Sequence, residues 1–182
     1  MCIRDRESHG GIEVPGSADL HDEFLNEVFA RAIQHSREER LIEAEHLFDV
    51  LQDAGETDPR VLQEATRVAV VLGRPHASAW LNTVEARARE AGDPWLMALS
   101  HEMRANHLEL RGHVADSVAS TLKAIEVAQE HGFDDLTVRL MVTCAGRMAM
   151  GIDERAEALL SRAIPNAERL GNRVLLWRAG KS

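Results

Sequence analysis

The sequence predicts an all-α chain, folded as a solenoid of about four antiparallel helix pairs. From Asp19 onward, apolar residues recur at helical spacing almost without interruption. No run of alternating β-branched residues bounded by turn residues marks a strand. Glycines punctuate the helical run at a steady period: Gly55, Gly92, Gly132 and Gly171 follow one another at intervals of 37, 40 and 39 residues.

Residues 7–18 (ESHGGIEVPGSA) carry Gly, Pro and Ser without periodicity and read as a linker. The repeat domain then spans 19–182. Its first helix lies near 20–35 and stops at Ser36; the second, near 38–54, stops at Gly55. Asp58 and Pro59 open the third, near 59–72: an aspartate accepts free N–H groups at an N-cap, and proline lacks only an N–H that the first helical position does not use. Gly73 ends it, and the fourth runs near 76–91 to Gly92. Asp93 and Pro94 repeat the start signal for the fifth, near 94–111, which Gly112 ends. The sixth (114–131) stops at Gly132, Asp134 caps the seventh (135–149), and Gly151 precedes the eighth (153–170). After Gly171, Asn172 caps a further helix from Arg173. The intermediate breaks Ser36, Gly73, Gly112 and Gly151 are themselves spaced 37, 39 and 39. Pro165 cannot donate to the carbonyl of Ser161, so the eighth helix is expected to kink or end early.

The second helix of each pair repeats a face at spacing 4 then 3: Ala44, Phe48, Leu51; Ala79, Thr83, Ala86; Ser117, Thr121, Ala124; Ala156, Leu160, Ala163. Beside it runs a more apolar stripe, Val114, Val118, Leu122 and Ile125. One helix pair cannot cover both faces, whereas stacked pairs can, which is why a period of this length predicts a solenoid.

GHVADSVASTLKAIEVA at 112–128 and GIDERAEALLSRAIPNA at 151–167 resemble tetratricopeptide (TPR) repeats, in which a glycine turn precedes a small–aromatic–alanine face; the second segment matches at Gly151, Ala156 and Ala163. Ala105 and Cys144 stand where that family keeps a small residue at the helix crossing. The likeness covers residues 20–182 and implies a right-handed superhelix. The unit here runs 37–40 residues, longer than the family's usual 34, and no tyrosine is present. The longer unit is similar to TPR-like arrays of bacterial multidomain regulators such as large LuxR-type transcription activators. That implies an interaction module with the output domain elsewhere in a larger protein; separately, no apolar secretory signal is visible, so the cytoplasm is expected, and no catalytic motif stands out, so no enzyme is expected. It also implies that first helices line a concave surface, which places Glu102, Asn106 and Glu109 on one wall and Met141, Ala145 and Met148 on the next. An acidic wall beside a methionine-bearing one suits a basic or amphipathic peptide; the bland alternative is that the methionines fill the core.

Both ends are expected to be incomplete. MCIRDR can be encoded by a DNA string resembling a transposon end used to fragment DNA for sequencing, so residues 1–6 are read as an artefact; the same codons in the source genome would refute this. Removing Arg4, Asp5 and Arg6 takes the net charge from −9 to −10. At the other end Leu175, Leu176 and Trp177 are expected to face a missing neighbour and to favour self-association.

Several chemistries find no support. A net charge of −9 disfavours phosphate backbones, hence nucleic acid. No run approaches the ~18 apolar residues of a membrane span. Cys2 and Cys144 form neither a disulfide framework nor a zinc pattern, and Cys144 reads as a small buried hydrophobe. His101 and His107 are six apart, about 240° around a helix, too far round to share a metal. Gly180-Lys181-Ser182 lacks the first glycine of a phosphate loop, since Leu175 stands there. No cofactor, metal site or catalytic residue is expected. The leading functional expectation is a protein-interaction or signal-sensing scaffold, and the second is a sensor holding a small apolar effector.

Overall fold

The computed structural model describes residues 17–56, 58–150 and 153–180. Among them the chain forms nine α-helices and no strand: α1 (Ser17–Arg37), α2 (Leu41–Asp53), α3 (Pro59–Val71), α4 (Ala77–Ala91), α5 (Pro94–Leu110), α6 (Val114–Glu130), α7 (Asp134–Met150), α8 (Arg155–Arg169) and α9 (Arg173–Arg178). Residues 1–16, with the proposed artefact and most of the linker, lie outside this set, as do Gly151, Lys181 and Ser182.

Each helix packs against the next in the chain. In addition α1 touches α3, α3 touches α5 and α7 touches α9, whereas no two even-numbered helices make a comparable contact. Between α5 and α7 the link is made by side chains, Arg139 to Glu102 and Arg147 to Glu109, so the odd-numbered helices form one layer with the even-numbered helices behind. The core follows the chain as a series of clusters. Phe48 and Leu51 anchor the first, between α1, α2 and α3; Val70, Leu81 and Val84 the next, between α3, α4 and α5; Leu140, Met141 and Cys144 the largest, from α5 to α8. Leu175 closes a small cluster with Val138 and Ala167, so it is buried by its own chain at 4% exposure instead of facing an absent neighbour. The side chain of Trp177 lies outside the described set.

Local chemistry explains most of the breaks. Gly55, Gly92, Gly132 and Gly171 all have positive φ, as do Gly73 and Gly112. At Gly92 (φ 60°, ψ 34°) the left-handed residue lets its N–H and that of Asp93 reach the last carbonyls of α4. Asp58 accepts from the Arg60 N–H at 2.8 Å, Asp93 from Leu96 at 3.0 Å and Asn172 from Leu175 at 3.2 Å. Asp134 differs from expectation: it lies in the first turn of α7, where its charge suits the helix dipole, and accepts instead from Arg169 at 2.7 Å. Pro165 neither ends α8 nor shortens it. Both it and Ser161 are exposed, so the carbonyl left without a donor faces water.

The first turn is displaced from Ser36. Ser36 lies inside α1, is buried, and accepts a hydrogen bond from Arg67; the turn residue is Glu39, with φ 60°. A residue with a Cβ is strained there. Glu39→Gly is expected to raise the unfolding free energy by about 1 kcal/mol in chemical denaturation; an unchanged or lowered value would show that the Glu39 side chain compensates the strain.

The repeated inner face is buried as expected in α2 (Ala44, Phe48, Leu51) and α6 (Ser117, Thr121, Ala124). In α4 it is Ala77, Leu81, Val84 and Ala88 that are buried, while Ala79 and Thr83 are exposed. The face starts five residues after the turn residue in α2 (Glu39 to Ala44) and α6 (Gly112 to Ser117), but four after Gly73 in α4, so the α4 register slips. In α8 Leu159, Ala163 and Ala167 carry the burial.

Candidate functional site

The odd-helix layer carries a groove. One depression of about 540 Å³ lies across α3, α5 and α7, with Gln63, Val71, Trp95, Leu99 and Arg139 in its lining. A second, of about 670 Å³, continues over α7 and α9 and shares Trp95 and Arg139 with the first. A third, of about 440 Å³, lies between α5 and α7 and shares Asn106 with the first. The shared residues make the three depressions one continuous surface.

That surface collects exposed apolar side chains. Among the described residues eight large hydrophobics are left exposed: Val71, Trp95, Met150 and Val174 line this surface, Phe24 and Leu110 lie elsewhere on odd-numbered helices, and Ile42 and Val50 lie on an even one. Scattered apolar exposure is ordinary on a protein surface; concentration in one layer is not. Trp95 follows Pro94 at the start of α5 and is held edge-on to Phe133, ring centres 5.0 Å apart at 82°, while 46% of it stays exposed. An aromatic fixed in place yet still accessible can bury area on a partner with little entropy loss.

Three arginines of the groove are paired with carboxylates within it. Glu102 accepts a bidentate pair from Arg139, one arm at 2.9 Å. Arg147, only 3% exposed, donates from Nε to Glu109 at 2.9 Å, from one terminal nitrogen to Thr121 at 2.7 Å, and from the other to Asn106. These contacts tie α7 to α5 and α6. Arg67 donates to Glu64 at 2.9 Å on α3.

The structure thus places Glu102, Asn106 and Glu109 in the groove, each held by an arginine. It does not bring the other three expected residues beside them. Met141, Ala145 and Met148 are 2%, 1% and 3% exposed and belong to the core cluster from α5 to α8, because their face of α7 turns toward neighbouring helices. The groove-facing positions of α7 are instead Val142, Thr143, Gly146 and Met150. Trp95, Arg139 and Arg147 were not foreseen from the sequence. One signal was available for Arg147: between Leu140 and Met150 it is the only charged residue.

Behind the groove, α4 and α5 meet along a polar seam. Ser78 Oγ lies 2.9 Å from His107 Nε2; Arg104 donates to Glu85 at 2.6 Å and to Asn82 at 2.9 Å; His101 Nδ1 lies 3.6 Å from Glu85. Burial lowers the pKa of His101, against Glu85 and with Lys123, Arg104 and Arg89; burial, then Arg111 and Arg104, lowers that of His107. Folding therefore favours the neutral rings. Below the ordinary value of 6.5 the unfolded chain takes up protons that the fold resists, so stability is lost as pH falls through the lowered pKa values. Relative to the double variant His101→Gln/His107→Gln, the natural chain is expected to lose stability between pH ~7 and ~5 in parallel urea titrations. Identical pH profiles would remove the histidines from the seam's energetics.

Burial pushes the Cys144 thiol up to about 11, which disfavours the thiolate. A separate cavity of about 340 Å³ lies between α6 and α7, lined by Val114, Val118 and Met148 with Arg147 and Arg155 at its edge. Arg155 is committed to Asp153 at 2.9 Å and holds that carboxyl down at about 2. Among the described residues no helix is long and apolar enough to cross a membrane. No protein-family model, curated protein or solved structure matches the chain.

Proposed function

We propose that the chain is a right-handed TPR-like solenoid of about four helix pairs that serves as a protein-interaction or signal-sensing scaffold within a larger cytoplasmic regulatory protein. The observation that carries this is the groove: a continuous surface from α3 to α9, lined by four of the eight large hydrophobic residues left exposed among the described residues, the fixed Trp95 among them. The series of small core clusters supports the solenoid, because a stack buries its apolar residues layer by layer. A broad surface of this kind suits a polypeptide better than it suits a reaction centre.

Display selection from a random-peptide library on the folded chain tests the reading, with Trp95→Asp as counter-target. Aspartate suits the first turn of a helix, so the variant keeps α5. Peptides that bind the natural chain and not the variant are expected; no enrichment, or equal binding to both, would refute it.

The second reading, an effector-sensing module, draws on the cavity between α6 and α7, whose volume of about 340 Å³ falls at the small end of ligand pockets. A metabolite that raises the melting temperature of the natural chain but not that of Val118→Trp, which fills the cavity, would favour it.

A further inference from the structure

The groove's own ion pairs define what it can hold. Its lining carries four carboxylates, Glu64, Glu102, Glu109 and Asp135, and three guanidiniums, those of Arg67, Arg139 and Arg147. That leaves one negative charge on the groove of a chain whose formal charge is −9. Three of the four carboxylates already accept hydrogen bonds from the three arginines. The Glu102 side chain is only 14% exposed and that of Arg147 only 3%, so these pairs are partly withdrawn from water.

A basic peptide would have to displace an arginine from its glutamate and leave that arginine without its partner. For a half-buried pair the exchange gains little, because breaking it strands a charge in a poorly solvated place. Apolar contact has no such competitor: Val71 and Trp95 stand exposed on neighbouring helices and line one depression, with Leu99 half-buried in the same lining.

We propose that the groove's partner is a peptide segment that seats an aromatic or branched aliphatic anchor beside Trp95 and carries no cluster of charged residues on its contact face. This narrows the docking surface proposed above and rests on it. The groove selects by shape and apolar area, while the acidic charge of the chain, concentrated outside it, discourages acidic partners.

The probe is the best-enriched peptide from the display selection, fluorescently labelled and titrated with the natural chain by anisotropy. Its sequence is expected to hold an aromatic or aliphatic pair and to be near neutral. Its Kd is expected to change less than about 3-fold between ~0.05 and ~0.5 M salt, where screening shortens from longer than ~10 Å to only a few Å. A lysine- or arginine-rich consensus, or a larger weakening in salt, would overturn the proposal while leaving the docking surface intact if binding is still lost in Trp95→Asp. Binding that survives both Trp95→Asp and Val71→Lys would instead bring down the docking surface itself. Val71→Lys places a cation at the end of α3, where the helix dipole favours it, and serves if Trp95→Asp fails to fold.

Discussion

Arg147→Ala is expected to lower the unfolding free energy by about 3 kcal/mol. The guanidinium is almost fully buried and holds three partners on two other helices: Glu109 and Asn106 on α5 and Thr121 on α6. Hydrogen bonds to a charged group contribute about 1.5–3 kcal/mol each at most, and their loss here is not additive because one side chain makes them all. Truncation also leaves the fully buried Thr121 hydroxyl without its donor, although it keeps its bond to the Ser117 carbonyl at 2.8 Å. Glu109 is 35% exposed and can turn to water, which keeps the cost toward the low end of a broken buried pair. Arg147→Met fills most of the volume without a charge and is expected to recover about half of the loss. Equilibrium urea unfolding of both variants checks this. A loss under about 1 kcal/mol for Arg147→Ala would mean that the network contributes little beyond packing.

Phe48→Ala is expected to cost about 4 kcal/mol, the larger of the two effects. Phe48 is 1% exposed and stands at the centre of the cluster joining α1, α2 and α3, with the Phe29 ring 6.4 Å away. Its removal opens a cavity that three helices line, and helices tied to one another by short turns can collapse only partly into it. In a stack whose layers touch only their neighbours, the damage is also expected to stay local. Amide hydrogen exchange should accelerate in α1–α3 and remain near natural rates in α6–α8. Uniform acceleration through α8 would show that the chain unfolds as a single unit.

Both effects bear on what was legible beforehand. Helix ends read well because their chemistry is local: a left-handed glycine such as Gly92, or an aspartate such as Asp93, acts within a few residues of itself. The inner face of α6 read correctly for the same reason, since Ser117 and Thr121 follow directly from the turn at Gly112. The α4 face did not, because its register depends on how many residues the turn after Gly73 consumes, and the 4–3 pattern fits two registers there. The turn at Glu39 was missed because a glutamate with positive φ carries no sequence signature.

The groove was half legible. Glu102, Asn106 and Glu109 line it, and their arginine partners lie 37, 41 and 38 residues away. Pairings at such separations arise only once neighbouring layers are in register. The acidic wall expected from α5 alone therefore becomes a nearly neutral one when α7 is added. The methionines went the other way: a stripe at helical spacing on α7 reads alike whether it faces a groove or a core, and Met141 and Met148 turned out to pack inside.

Under the proposed function the odd-helix layer is the face that meets a partner. Trp95 lies in its groove, while Trp80 sits on α4, its ring 4.2 Å from that of His76 and packed between two core clusters. The indole N–H resonances of Trp95 and Trp80, each assigned among the chain's three by Trp95→Phe and Trp80→Phe, can be followed while a display-selected peptide is added. The claim predicts that the Trp95 signal moves to saturation and the Trp80 signal stays in place. Movement at Trp80 with Trp95 unaffected would contradict it.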